Sequence, residues 1–345
     1  MRKRVCIYTL NGNDNYGNKL QNYALKKYIE SLGFNVVTLW LENNSRKIKR
    51  KLQYIYYYFF NKKRRISFLK FNKYLNYVYK NKLNFSNRND YFIVGSDQVW
   101  NCNFAEFDSS YLLSGVECSK RISYAASFAI DALPDNYKDL FLSELTKFKY
   151  LSVREYSGKV IVNELNEELD VKVLIDPTML LTSDEWDIIA LKPNMLKNEK
   201  FILNYFLGEL SEDKRKEIER IANENNCEII NILDKNSPFY ECGPSEFLWL
   251  EKHAFLICTD SFHSSVFAVL YNRPFIIFDR EQKGMAKMNS RLDTLISKFN
   301  LKNRKFEGKI TEENLNHDYS EAYKILEVER QKSKDFLERA LDIKK

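Results

Sequence analysis

Residues 5–40 carry the pattern that most narrows the fold of this chain. An apolar run from Val5 to Leu10, β-branched at its start, leads into a polar, glycine-bearing loop from Asn11 to Asn18. Leu20, Ala24, Leu25, Tyr28, Ile29 and Leu32 then recur at helical spacing, which predicts a helix over 19–32. Gly33 stands where helices commonly stop. Asn35 to Trp40 reads as a second strand. Strand, helix and strand in this order require a crossover, and hence a parallel sheet with helices on its faces.

The pattern recurs downstream. Strands are expected over 91–94, 122–128, 150–153 and 171–175, with a helix over 139–148. The stretch 182–198, charge-rich and carrying Pro193, is expected to be a linker. A second series follows, with strands over 201–206, 228–233, 254–259 and 274–278. Helices alternate with them over 211–225, 244–252 and 264–271, and a long charged helix closes the chain over 320–344. The 345 residues are enough for two domains at ordinary domain sizes. The expected organisation is a first α/β domain at 1–185, with a basic helical insertion at 45–89, and a second at 186–345 that includes the terminal helix. Two Rossmann-like parallel-sheet domains facing a cleft form a GT-B-like α/β architecture. Sheets of this kind bind ligands beyond the carboxyl ends of their strands, so the loops there hold the candidate residues.

Composition removes several classes. With 44% hydrophobic and 29% charged residues, the chain is globular. No run approaches the about 20 apolar residues of a membrane span. The basic start, Met1 to Arg4, is followed by an apolar stretch too short for a secretion signal. A cytoplasmic protein is expected. Six scattered cysteines without a Cys-x-x-Cys pair, and only three histidines, argue against a zinc cluster, a disulfide framework or a His-rich metal site. The net charge of +7 conceals an asymmetry: residues 45–89 hold 14 Lys or Arg and no Asp or Glu, so the remainder stands at −7. Such a block suits an anionic partner. Its interleaved aromatics fit a membrane surface, and no nucleic-acid motif accompanies it. A solvated basic surface over packed aromatics is the plainer alternative.

Five constellations carry possible chemistry. The loop around Asn15, Asn18, Lys19 and Gln21 offers hydrogen bonds to a phosphate or a sugar hydroxyl, but lacks the Gly-Lys-Ser/Thr ending of a Walker loop. Gly95-Ser96-Asp97-Gln98-Val99-Trp100 ends a strand with polar groups beside an aromatic, either a sugar-contacting loop or a capped helix over a buried Trp. Arg154, at another strand end, suits a carboxylate or phosphate. Thr259-Asp260-Ser261-Phe262-His263-Ser264-Ser265 places a histidine at a helix start, where it can serve as general acid or base, with serines suited to an anion. Arg291 precedes an apolar helix and is either an anion contact or a solvated cap.

Taken in order, Asn15 to Leu25, Gly95 to Asn101, Ser123 to Phe128, Ser152 to Glu155, Asp176-Pro177-Thr178 and Thr259 to His263 resemble the polysaccharide pyruvyl transferase family. The resemblance implies transfer of a pyruvyl unit from phosphoenolpyruvate, with no other cofactor, to two hydroxyls of a sugar in a capsular, exopolysaccharide or cell-wall precursor, often lipid-linked. It implies His263 and Arg154 as catalytic residues, and Ser261, Ser264, Ser265 and Arg291 around the donor. The acceptor would sit on Asn15, Asn18, Lys19, Gln21, Asp97, Gln98 and Trp100. One departure is that several branches carry Arg-Leu-His where this chain has Ser261-Phe262-His263; Arg291 or Arg280 is then the replacement cation, or the donor differs. Two other readings stay open: a glycosyltransferase using a nucleotide sugar, with Glu241 or Glu246 for the ribose, and a non-catalytic lipid- or polysaccharide-binding protein.

Overall fold

A computed structural model describes residues 3–12, 14–40, 62–79, 90–104, 107–280 and 290–343. The chain divides into two compact units: Met1–Leu180 with Val328–Lys345, and Leu181–Glu327.

In the first unit, β1 (Arg4–Tyr8), α1 (Tyr16–Ser31) and β2 (Asn35–Trp40) form the crossover that the opening pattern requires. Helix α2 (Lys62–Phe71) and strand β3 (Tyr77–Tyr79) follow, then β4 (Asp90–Val94) and β5 (Arg121–Ser123). Five strands lie parallel in the order β3-β2-β1-β4-β5, with Val5 opposite Val36 on one side and Tyr91 on the other. Val5 to Tyr8 are all buried, as expected of a strand covered on both faces. Helix α3 (Asp135–Leu145), β6 (Leu151–Val153), α4 (Tyr156–Leu165) and β7 (Val171–Val173) complete the unit. Isolated bridges, Ile122 with Tyr150 and Ala126 with Val153, carry the parallel pairing from β5 on to β6.

The second unit begins at once, with α5 (Ser183–Asp187), β8 (Phe201–Tyr205), α6 (Glu212–Asn225), β9 (Glu228–Asn231), α7 (Pro244–His253), β10 (Leu256–Thr259), α8 (Phe262–Leu270), β11 (Phe275–Ile277) and α9 (Ser290–Lys298). Its four parallel strands run β11-β10-β8-β9. Helix α6 opens on Glu212 and Asp213, acids that favour the positive end of the helix dipole. The last helix, α10 (Ser320–Ala340), begins in this unit, and its residues from Val328 belong to the first.

Four expectations are corrected. Residues 182–198 are not a linker. Thr182 and Glu185 close a capping box on α5, and Trp186 is fully buried at 5.1 Å from the Phe267 ring. Lys252 pairs with Asp187 at 2.6 Å. A single aromatic residue inside a charged stretch anchors it to the core. The expected strand 122–128 stops at Ser123, because Ala125 takes a left-handed φ of +48°. The end of the terminal helix joins the first unit: Phe336 packs its ring on Tyr124 and Tyr150, and Arg330 Nε donates to the Met179 carbonyl at 2.6 Å. The basic block is not wholly an insertion. Its described part, 62–79, contributes strand β3 to the sheet edge and buries Arg64, Phe68 and Phe71. Residues 45–61 and 80–89 of that block lie outside the described residues.

Candidate active site

Each unit has a point where its strand order reverses, and open α/β sheets take ligands at that point. In the first unit it lies between β1 and β4, in the second between β8 and β10. The sequence candidates concentrate at both.

Beyond β4 the backbone is tightly constrained. Gly95 has φ +113°, and a Cβ there would meet the Tyr124 carbonyl oxygen at 2.2 Å, so no other residue fits. Asp97, Ala125 and Ala129 also adopt left-handed φ values, of 67°, 48° and 52°. Non-glycine residues in that region concentrate where the surrounding structure over-determines the backbone. Here it does so through Arg154, which ends β6. Its Nη1 donates to Asp176 Oδ2 at 2.6 Å, Nη2 lies 3.6 Å from Asp97 Oδ1, and Nε lies 3.9 Å from Glu155 Oε2. Burial works to lower the Arg154 pKa, but Asp176, Asp97 and Glu155 outweigh it and raise the guanidinium above its ordinary value.

Each carboxylate is further satisfied. Glu155 Oε1 accepts from Ser127 Oγ and from the amides of Phe128 and Ala129. Asp176 accepts from Ser96 Oγ and from the amide and hydroxyl of Thr178. Asn18 Nδ2 donates to Asp97 Oδ2. Gln21 lies beneath, donating to Thr9 Oγ1 and the Asn18 carbonyl while accepting from the Ser96 amide. The structure therefore brings Asn18, Gln21, Asp97 and Arg154 together, but as a buried network. A ligand anion aimed at Arg154 would meet three carboxylates already in place. Among the described residues, no group of three or more His, Cys, Asp or Glu could hold a metal ion.

Other first-unit candidates are placed elsewhere. Asn15 caps α1, its Oδ1 accepting from the Asn18 amide at 3.2 Å. Lys19 is fully buried, and its Nζ donates to Asn72 Oδ1 at 2.7 Å and Tyr77 Oη at 3.1 Å. Burial lowers its pKa to about 7, against a weaker opposing pull from Asp14. Trp100 is core: its Nε1 donates to the Tyr111 carbonyl, and its ring packs on Phe128, Phe141 and Phe148. It presents no face to a sugar. Gln98 is half-buried, and its Oε1 accepts from Asn101 Nδ2.

At the second switch point Asp260 follows β10. Its carboxylate accepts from the amides of Leu207 and Gly208, at 2.7 and 2.8 Å, and so ties the loop after β8 to the end of β10. The same carboxylate receives Arg280 Nε at 3.0 Å, and the Asp260 carbonyl receives Arg280 Nη2 at 3.1 Å. Arg280 follows β11, so one buried acid gathers three strand ends. Arg280 Nη1 has no partner among the described residues.

Ser261 is the N-cap of α8, yet its hydroxyl makes no capping bond. A helix start with its amides forward favours an anion. His263 sits in the first turn, largely buried, with its ring edge-on to Phe262 at 5.2 Å. The two following serines face inward, contrary to expectation. Ser264 Oγ donates to Glu251 at 2.6 Å, and Ser265 Oγ to the Ser261 carbonyl at 3.0 Å. Burial holds the Glu251 carboxyl well above the usual carboxylate range, opposed by the Ser264 hydrogen bond. Arg291 is buried in the first turn of α9, which packs against α8. Glu246 accepts from the Gly243 amide at the start of α7, which accounts for it without a ribose.

Asp260, Asp176 and Glu155 stood in the motifs without a role, and Arg280 stood only as a possible replacement cation. The signal for Arg280 was available: it follows an apolar strand, where Arg154 was found by the same rule. The pairing of Asp260 with Arg280 was not, because twenty residues separate them in sequence.

The chain is thus an α/β protein with two parallel-sheet units, one of which has a helix start beside a histidine. The sequence profile of the polysaccharide pyruvyl transferase family matches residues 15–282, and the chain belongs to that family. No curated protein sequence is similar enough to count as a match. Among solved structures, an uncharacterised Klebsiella pneumoniae protein shares 12% identity over 89% of this chain and 92% of its own, at a TM-score of 0.48. The UDP-GlcNAc 2-epimerase of Methanocaldococcus jannaschii shares 12% over 95% and 92%, at 0.48. The UDP-N-acetylglucosamine 2-epimerase of Rickettsia bellii shares 12% over 99% and 98%, at 0.47.

Proposed function

We propose that this transferase moves a pyruvyl group from phosphoenolpyruvate to two hydroxyls of a sugar, giving a cyclic ketal and inorganic phosphate. The acceptor is a capsular, exopolysaccharide or cell-wall precursor carried on a lipid. Family membership supports the reaction class. The observation that carries the donor's position is the grouping of Ser261, His263 and the α8 start with Arg280, which Asp260 anchors at the same strand end.

In this reading the donor's carboxylate and phosphate face Arg280 and the first amides of α8, a charge-assisted arrangement. Protonated His263 gives its proton to the methylene carbon of the donor, which becomes a methyl group. The adjacent carbon, now electron-poor, takes the first sugar oxygen, and His263 recovers a proton from that hydroxyl. The second sugar oxygen adds to the same carbon as the carbon–oxygen bond to phosphate breaks, and its proton leaves with the phosphate.

Purified protein is mixed with phosphoenolpyruvate and a panel of diphosphate-lipid-linked sugars, and phosphate release is followed with the acceptor's mass. Acceptor-dependent phosphate with the mass gain of a pyruvyl ketal is expected. Thermal stabilisation by nucleotide sugars alone, without turnover, would instead support a glycosyltransferase.

A further inference from the structure

Helix α2 lies inside the basic block and has two dissimilar faces. Arg64, Phe68 and Phe71 point inward; Arg64 donates to Tyr16 Oη at 2.8 Å and to the Asp14 carbonyl at 3.0 Å, and Phe68 packs on the Tyr16 ring. At 3.6 residues per turn, Ile66 and Leu69 then fall near the centre of the opposite stripe. Both are exposed, at 41% and 43%. Lys62, Lys63 and Lys70 flank them on the same side, and Lys73 is exposed just beyond the helix. No acidic residue occurs anywhere in 45–89.

We infer that this face of α2 docks on an anionic bilayer surface, with Ile66 and Leu69 inserted at headgroup depth and the lysines reaching the phosphates around them. An exposed aliphatic centre ringed by lysines is the pattern of an interfacial helix, since lysine stems lie along apolar surface while their ammonium groups stay with the headgroups. A protein partner fits less well, because protein interfaces are depleted in lysine. Nucleic acid offers nothing to the two aliphatic side chains. The charge is selective too: Ile188 and Leu191, also exposed, follow Asp184, Glu185 and Asp187, which an anionic surface repels. No described helix is long and apolar enough to cross a membrane, so the contact is peripheral.

Co-sedimentation of the full chain tests this independently of any transferase activity. The vesicles are phosphatidylcholine alone and an equal mixture with phosphatidylglycerol, at near-physiological salt. The wild-type protein should pellet with the mixed vesicles and stay in solution with the neutral ones. Each lysine at an anionic surface is worth about fivefold in partitioning, so Lys62→Glu, Lys70→Glu and Lys73→Glu together should weaken binding by about a hundredfold or more. Ile66→Ser with Leu69→Ser, which leaves the charge untouched, should weaken it by about tenfold. Both variants carry changes at exposed positions and should melt with the wild type. Equal pelleting with both vesicle types, or a serine variant that binds as the wild type does, overturns the inference. So does a wild-type dimer in sedimentation velocity that the serine variant abolishes while vesicle binding is nil, or an oligonucleotide that binds where vesicles do not.

Discussion

The two switch points are built from the same materials and put them to different uses. At the first, an arginine at a strand end is enclosed by three carboxylates, and each of these also accepts from asparagine, serine, threonine or backbone donors. At the second, one carboxylate takes one arginine through its Nε, along with two backbone amides, beside a helix start whose cap hydroxyl makes no capping bond. The first network is closed on itself and the second is one-sided. A strand-end arginine is therefore not a ligand residue by position alone; what matters is how many anions it already serves. The comparison predicts that charge removal at the first point is read in stability, and at the second in ligand affinity and turnover.

The largest expected effect is at the second point. His263→Ala should lower turnover by about a hundredfold to ten-thousandfold, the usual contribution of a general acid, with melting temperature nearly unchanged. Steady-state phosphate release measures it. Turnover within a few-fold of wild type would remove His263 from the chemistry.

Arg154→Met tests the closed network. It strands three buried carboxylates without their cation, which costs on the order of 3–5 kcal/mol. Urea unfolding should show that loss, and any folded fraction should keep the wild-type KM for phosphoenolpyruvate. A stable protein with a sharply raised donor KM would reverse the comparison and return Arg154 to the donor.

Arg280→Met makes the opposite prediction. Losing a charge-assisted contact should cost about tenfold to a hundredfold in kcat/KM for the donor. Because Asp260 would lose its partner, the double variant Arg280→Met with Asp260→Asn is needed as well. It should recover stability without recovering donor affinity. Recovery of both would reduce Arg280 to a structural role.

Much of this was legible in the sequence, for a definite reason. Strands buried on both faces read as continuous apolar runs, as in Val5 to Tyr8 and Leu256 to Cys258, and the helices between them keep their period. The rule that ligands meet strand ends located Asp97, Arg154 and His263. Sequence could not tell which way a polar side chain turns. Ser264 and Ser265 look like anion ligands and point to Glu251 and the Ser261 carbonyl. Trp100 looks like a sugar platform and fills the core. For Ser264 and Trp100 a partner distant in sequence decides the direction: Glu251 lies thirteen residues from Ser264, and Trp100 packs on Phe141 and Phe148, whereas Ser265 bonds the carbonyl one turn before it.

Lys19 sharpens the comparison at its finest scale, because it too looked like a phosphate contact. Its amine is buried beside Asn72 and Tyr77 with its pKa lowered to about 7, from the ordinary 10.5. Between those values the unfolded chain holds a proton that the folded chain has released, so folding stability rises with pH across that window. Below about 7 both states are protonated and the full cost of burying the charge is present. Lys19→Met removes the titration, so the stability of wild type relative to the variant should climb from pH 7 to 9, by up to about 1.4 kcal/mol per unit. Chemical unfolding of both proteins across that range measures the difference. KM for donor and acceptor should be the same in both. A flat difference would mean the amine is hydrated in the folded protein, and a raised acceptor KM would place a ligand at α1, opening a network that the structure draws closed.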